Sequence, residues 1–176
     1  ALNRQESFER GLDRAQSRLS TEESALMASE NILQRIRELA VRAGSDTLSA
    51  SDKTVIAKEV SSLRDELFSL ANSQDVNGNF VFSGSAVQTA AFVTAADGSV
   101  TYQGDKNQTS VDISDHRSLA INRPGDDVFK AVARDQGGAN PATIGFFNVI
   151  SDFADALNAD NGANISRGLT EISGLT

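Results

Sequence analysis

At 176 residues the chain is long enough for one or two domains, and 16 basic against 24 acidic residues leave a net charge of −8. That balance repels the phosphates of nucleic acid. The absence of cysteine excludes disulfides, thiolate metal sites and thiol nucleophiles, and no apolar run reaches the roughly 20 residues that span a bilayer. Neither nucleic acid nor membrane is therefore expected as a partner. The chain begins at Ala1 with no cleavable signal peptide in view. Nine Phe, one Tyr and no Trp describe a real but thin core.

Leu12, Leu19, Leu26 and Leu33 recur every seventh residue, and Phe8, Ala15, Ser29, Ile36 and Ala43 interleave, with Glu22 as the break. Such a repeat predicts one long helix with a single packing stripe, about 50 Å for five heptads. Arg42 and Gly44 mark its end as a last-turn cation and a C′ glycine. Ser49 and Asp52 form a capping box, and Ile56, Val60, Leu63, Leu67 and Leu70 predict a second helix over 51–72. A loop of about six residues between them favours an antiparallel hairpin. The first helix outruns the second, so its amino-terminal half needs cover from later segments or another subunit.

At Asp75-Val76-Asn77-Gly78-Asn79 the pattern changes: two glycines precede Asn77, eleven glycines and both prolines follow it. Asn77-Gly78 reads as the junction turn. Phe80–Phe82, 91–94, 99–103, 110–113 and 119–122 read as short strands, punctuated by Asp97-Gly98, Gly104-Asp105 and Pro124-Gly125. After a loop over 135–141, Phe146, Phe147, Ile150, Phe153, Ala154 and Leu157 restore helical spacing. Asn161-Gly162 ends that helix, and a further segment begins at Ser166. The expected class is α+β: a long antiparallel helical bundle of residues 1–77 and 142–176, with a small antiparallel β domain inserted at 78–141. The chain stops without a C-cap, as a core cut short of its terminal helices would.

No catalytic, metal or cofactor set emerges, and no cofactor is expected. His116 stands alone in a turn between Asp115 and Arg117. Asp75, Asn77 and Asn79 imitate the start of a calcium loop, but Phe80 and Ala86 occupy the positions that need Gly and Glu. Turn-forming side chains explain them better. Phosphate-binding glycine motifs and a Gly-x-Ser-x-Gly elbow are absent.

Ile32-Leu33-Gln34-Arg35-Ile36-Arg37-Glu38-Leu39-Ala40-Val41-Arg42-Ala43-Gly44 resembles the signature of flagellins and their junction proteins. The run from Asn72 to Gly84, then Tyr102-Gln103-Gly104-Asp105 and Pro124-Gly125-Asp126-Asp127-Val128-Phe129, resembles the hook-associated protein 3 (FlgL) family over essentially the whole chain. The resemblance implies a structural subunit at the hook–filament junction of the bacterial flagellum. It implies export by the flagellar type III apparatus, homotypic subunits in a ring, contacts with hook-associated protein 1 and flagellin, and an export chaperone at a carboxy-terminal segment. The family's terminal helices are missing here, so a monomer is expected. Arg35, Arg37, Glu38 and Leu39 match a flagellin stretch used in subunit packing and, in some species, immune-receptor recognition. Glu59 falls near another contact, whereas Leu63 departs from it. With Arg42 these are the candidate subunit-interface residues. The alternatives are a divergent flagellin, which the Tyr102 word and the small insert argue against, or a secreted adhesin, for which Tyr102 and a few Phe residues offer little glycan platform.

Overall fold

The structure is a computed structural model that describes residues 2–137 and 139–176, with Leu2 described by its backbone alone. Helix α1 (Leu2–Ala43) is one uninterrupted rod of 42 residues. Helix α2 (Ala50–Ala71) returns beside it. Ser49 opens α2 with a reciprocal capping box: its side chain accepts from the Asp52 amide, and Asp52 accepts from Ser49. The Ser49 hydroxyl, and after it the Ser49 amide, donate to the Asp52 carboxylate and hold it below its ordinary range. Gly44 ends α1 but not as a left-handed cap. Its φ is not positive, and its amide simply donates to Ala40 O at 3.1 Å.

Three separate two-stranded antiparallel ladders follow. They are β1 (Phe92–Thr94) with β2 (Val100–Tyr102), β3 (Ser110–Ser114) with β4 (Arg117–Ala120), and β5 (Val132–Arg134) with β6 (Ala142–Ile144). A short helix α3 (Gly125–Val128) lies between the second and third ladders. Helices α4 (Phe146–Asn158) and α5 (Gly162–Ser173) close the chain. Asn161 caps α5 by accepting from the Asn164 amide, so α5 starts four residues earlier than its apolar spacing suggests.

The α+β class is as expected, and the strand positions need three corrections, the first being that the strand expected at 119–122 lies two residues earlier, at Arg117–Ala120. Phe80–Phe82 is not a strand: only a single bridge joins Phe80 to Gln74. The Phe82 carbonyl instead accepts from Gly125 N and the Tyr102 hydroxyl, which a ladder would not allow. The β5–β6 ladder, unmarked in the sequence, crosses the expected boundary between 141 and 142.

The core is continuous across the helices and the turn-rich segment. Phe129 stacks edge-on with Phe82, Phe92 and Phe146, and Phe92 with Phe147, at centroid separations of 5.1–5.7 Å. Tyr102 knots this region. Its hydroxyl lies 3.0 Å from Phe82 O, 2.8 Å from Asp105 O and 3.2 Å from the Gly125 amide. Burial pushes that phenol up to about 12. Gly104 packs so closely that a Cβ there would sit 2.4 Å from the hydroxyl, which is why the Tyr102-Gln103-Gly104-Asp105 word needs glycine.

Candidate assembly surface on the helical rod

The heptad stripe divides into two halves. Leu33, Ile36, Val60 and Leu67 are buried, and Leu26, Leu63 and Leu70 pack half-buried against the same core. Leu12 and Leu19, by contrast, are 44% and 37% exposed. In the first half of α1 the interleaved positions Ala15, Glu22 and Ser29 face inward as expected, but the second line runs one residue before the leucines, through Gly11, Arg18 and Ala25. This corrects the expected stripe, and the reason is what lies opposite. Beyond the reach of α2, the neighbours of α1 are the turn at 75–81 and the β3–β4 hairpin rather than a second helix. A flat hairpin admits close backbone approach, so the line that meets it is small. Gly11 lies so near Val111 that an added Cβ would stand 2.9 Å from its Cγ1.

Two charges lie on that inward face, where the sequence pattern marked only an interruption. Arg18 donates to the carbonyls of Phe80 at 3.2 Å and Val81 at 3.1 Å, and stands 3.9 Å from the Asp75 carboxylate. Glu22, one turn on, is buried, with one carboxylate oxygen lacking a hydrogen-bond partner. Desolvation raises the Glu22 pKa, and Arg123 and Arg18 oppose that rise. Desolvation likewise lowers that of Arg18, against the pull of Asp75.

The predicted interface residues fall into three groups. Arg35 reaches across to α2, its Nε donating to Glu59 Oε1 at 2.8 Å, and it lies 3.4 Å from Glu38. The Glu59 bond raises its already high pKa. Arg37 lies 3.4 Å from Glu30 and donates to the Leu175 carbonyl, tying α1 to the chain just past α5. Leu39 is 1% exposed and belongs to the core, because it projects between α1 and its packing partners. That removes it from any surface. Glu38 and Arg42 are exposed, and Glu59 is half-buried.

Asn77 and Gly78 lie in a tight turn. Gly78 takes φ +78 and donates to Asp75 O, while the Asp75 carboxylate accepts from the amides of Asn77 and Asn79. That use of Asp75 explains the calcium-like spacing without an ion. His116 sits exposed at the tip between β3 and β4. Among the described residues no three His, Asp or Glu side chains converge as a metal group, and no helix is long and apolar enough to cross a membrane.

A family model for the bacterial flagellin N-terminal helical region matches residues 2–87, which takes in α1, α2 and the Asn77-Gly78 turn. Flagellar hook-associated protein 3 of Salmonella typhimurium is 32% identical over 118 residues, 67% of this chain and 36% of that protein. The Escherichia coli protein of the same name is 32% identical over 135 residues, 74% of this chain and 42% of its own length. The chain is flagellin-like, of the hook-associated protein 3 family. The fold agrees: the crystal structure of Xanthomonas campestris FlgL superposes with a TM-score of 0.83 at 22% identity, covering 98% of this chain and 86% of that one. The Legionella pneumophila flagellar junction protein FlgL gives 0.79 at 19% identity, covering 98% and 92%. The chain thus spans about two fifths of the length of the curated relatives it matches.

Other functional-looking side chains escaped the sequence reading. Arg134 on β5 grips Glu171 of α5 through two bonds of 2.6 and 2.7 Å and Asp152 of α4 through one of 2.7 Å. The Glu171 bond leads in raising its pKa. No local spacing announces this clamp, since its members lie 18 and 37 residues apart.

Proposed function

We propose that this chain forms the folded body of a structural subunit at the hook–filament junction, working by shape and lateral adhesion. The supporting observation is the bare leucine face of α1. Leu12 and Leu19 continue the line of Leu26 and Leu33 along a rigid rod, yet the described residues leave them open to solvent. A seven-residue repeat of that kind is made for packing along another helix. In this reading copies of the subunit stand side by side in a ring, between hook-associated protein 1 and the first flagellin layer. The protein leaves the cell unfolded without a cleaved signal, and an export chaperone engages a segment outside this chain. Weak lateral contacts, each burying apolar area at about 25 cal/mol per Å², add over a ring into a durable joint.

Charges on the opposite, polar face serve a different part of the task. Arg35 is paired with both Glu59 and Glu38 within one subunit, leaving exposed Arg42 as the group available to a neighbour. The test is complementation of a strain lacking its hook-associated protein 3 by full-length protein carrying Leu12→Glu and Leu19→Glu. Filaments should be shed or fail to attach. Normal attachment would overturn the role given to this face.

A further inference from the structure

The dipeptide Asn-Gly occurs twice, at Asn77-Gly78 and Asn161-Gly162, and the two occurrences sit in different surroundings. Glycine after asparagine leaves the next amide nitrogen unshielded, which is the sequence condition for spontaneous attack on the side-chain amide. What decides the outcome in a folded protein is whether that side chain is free to turn toward the nitrogen.

At the junction turn it is free. Asn77 and Gly78 are both exposed, the Asn77 side chain makes no hydrogen bond among the described residues, and a Cβ built on Gly78 meets nothing within 4 Å. A single backbone hydrogen bond, from Gly78 N to Asp75 O at 2.9 Å, holds the attacking nitrogen. Val76 beside it is 82% exposed. Asn161 is held instead. Its side-chain oxygen accepts from Asn164 N at 3.1 Å as the cap of α5, and Gly162 is already fixed as the first helical residue. Attack there requires breaking the cap and the first turn together.

We propose that Asn77 is a self-modification site, converting without any enzyme to aspartate and isoaspartate at the turn where the helical pair hands over to the β-rich segment. The Gly78 nitrogen bonds to Cγ of Asn77, the Cγ–Nδ2 bond breaks, and ammonia leaves with the proton given up by the Gly78 amide. Water then adds to one carbonyl of the five-membered imide. Opening at the side-chain carbonyl breaks Cγ–N and gives aspartate, whereas opening at the main-chain carbonyl breaks its C–N bond and gives isoaspartate, with no change in oxidation state. Either product places a new carboxylate beside Asp75. The isoaspartyl form also lengthens the main chain between 77 and 78, so the Asp75 bonds to the amides of Asn77 and Asn79, at 2.8 and 3.0 Å, are lost. The Arg18 anchor then keeps its carbonyl partners but loses its ordered carboxylate.

Peptide mapping by mass spectrometry of the intact chain, aged in mildly alkaline buffer and in parallel in concentrated urea, tests this. In buffer the peptide containing Asn77 should convert several-fold faster than the one containing Asn161. In urea, where both turns are gone and both asparagines precede glycine, the two rates should converge. Equal or faster conversion at Asn161 in buffer overturns the proposal. So does conversion of both in urea with neither reacting in buffer, because the turn would then protect Asn77. A difference that persists unchanged in urea overturns it too, since the fold would not be its cause.

Discussion

Arg18 and Glu22 occupy positions where a helix of this length would ordinarily bury apolar side chains, and their environments are unequal. Arg18 has two carbonyls and a carboxylate around it, whereas Glu22 is left with an unpartnered oxygen. The Glu22 carboxyl is therefore easier to protonate in the folded chain than in the unfolded one. A group raised in this way contributes stability while protonated. The contribution is complete below the unfolded value near 4.5 and disappears as pH rises through the higher folded value. Glu22→Gln keeps the shape and removes the charge. Thermal melts should show the variant gaining a few degrees at neutral pH and losing the part of the pH slope that lies just above 4.5. A lower melting temperature at neutral pH would mean the ionised carboxylate is a net attraction for Arg18 and Arg123. None of this was legible in the sequence, where Glu22 reads merely as a gap in a heptad. The pattern fixes which residues share a stripe but not which stripe faces inward, and here the neighbour is a hairpin and a turn rather than a helix.

Elements with a local cause were legible. The capping box at Ser49 and Asp52 starts α2 within a residue of its expected place, and Phe146 to Leu157 mark α4. Asp97-Gly98 closes the β1–β2 hairpin with Gly98 at φ +83, a conformation its sequence advertises. Elements with a distant cause were not. Strands β5 and β6 have three residues each, too few for alternation to show, and exist because Val132 pairs with Ile144 across a loop. Contact between α4 and α5 is similarly invisible until folded. Gly168 faces Phe153 so closely that a Cβ would stand 2.5 Å from Cδ2 of the ring. Phe153 is buried and cannot swing away, so Gly168→Ala should force the helices apart. We expect a loss of about 1–3 kcal/mol in urea unfolding, against the small gain alanine ordinarily brings to a helix. An unchanged midpoint would show that the α4–α5 contact tolerates an added methyl.

Across the molecule, charge and apolar area are distributed unevenly. Through Ala43, seven arginines meet seven acids, so the whole net charge of −8 belongs to residues beyond it, nine basic against seventeen acidic. A neutral rod with a bare leucine line can approach its own kind without repulsion, while the acidic remainder stays solvated. This arrangement separates folding from assembly at the level of single leucines. Leu33→Ala, in the buried half, should cost the isolated chain about 2–5 kcal/mol. Leu12→Glu and Leu19→Glu, in the exposed half, should leave its melting curve within about 0.5 kcal/mol of the parent. Calorimetry of the three variants separates the two halves, and a large loss from the glutamate changes would place those leucines inside the fold after all. The overall class and the four longer helices were readable from spacing and turn residues. The division of one heptad line into a folded half and an open half required knowing what stands opposite each turn of α1.

The tyrosine whose hydroxyl joins three backbone segments is also the chain's single tyrosine, and tryptophan is absent. Ultraviolet emission from this protein therefore originates at one address, the knot between the β1–β2 hairpin and the turns at 82–84 and 124–125, while circular dichroism at short wavelength is dominated by the long rods. One denaturation experiment read by both signals follows two regions of the same polypeptide at once, with no label introduced. Their coincidence or separation measures how firmly the turn-rich region is coupled to its scaffold.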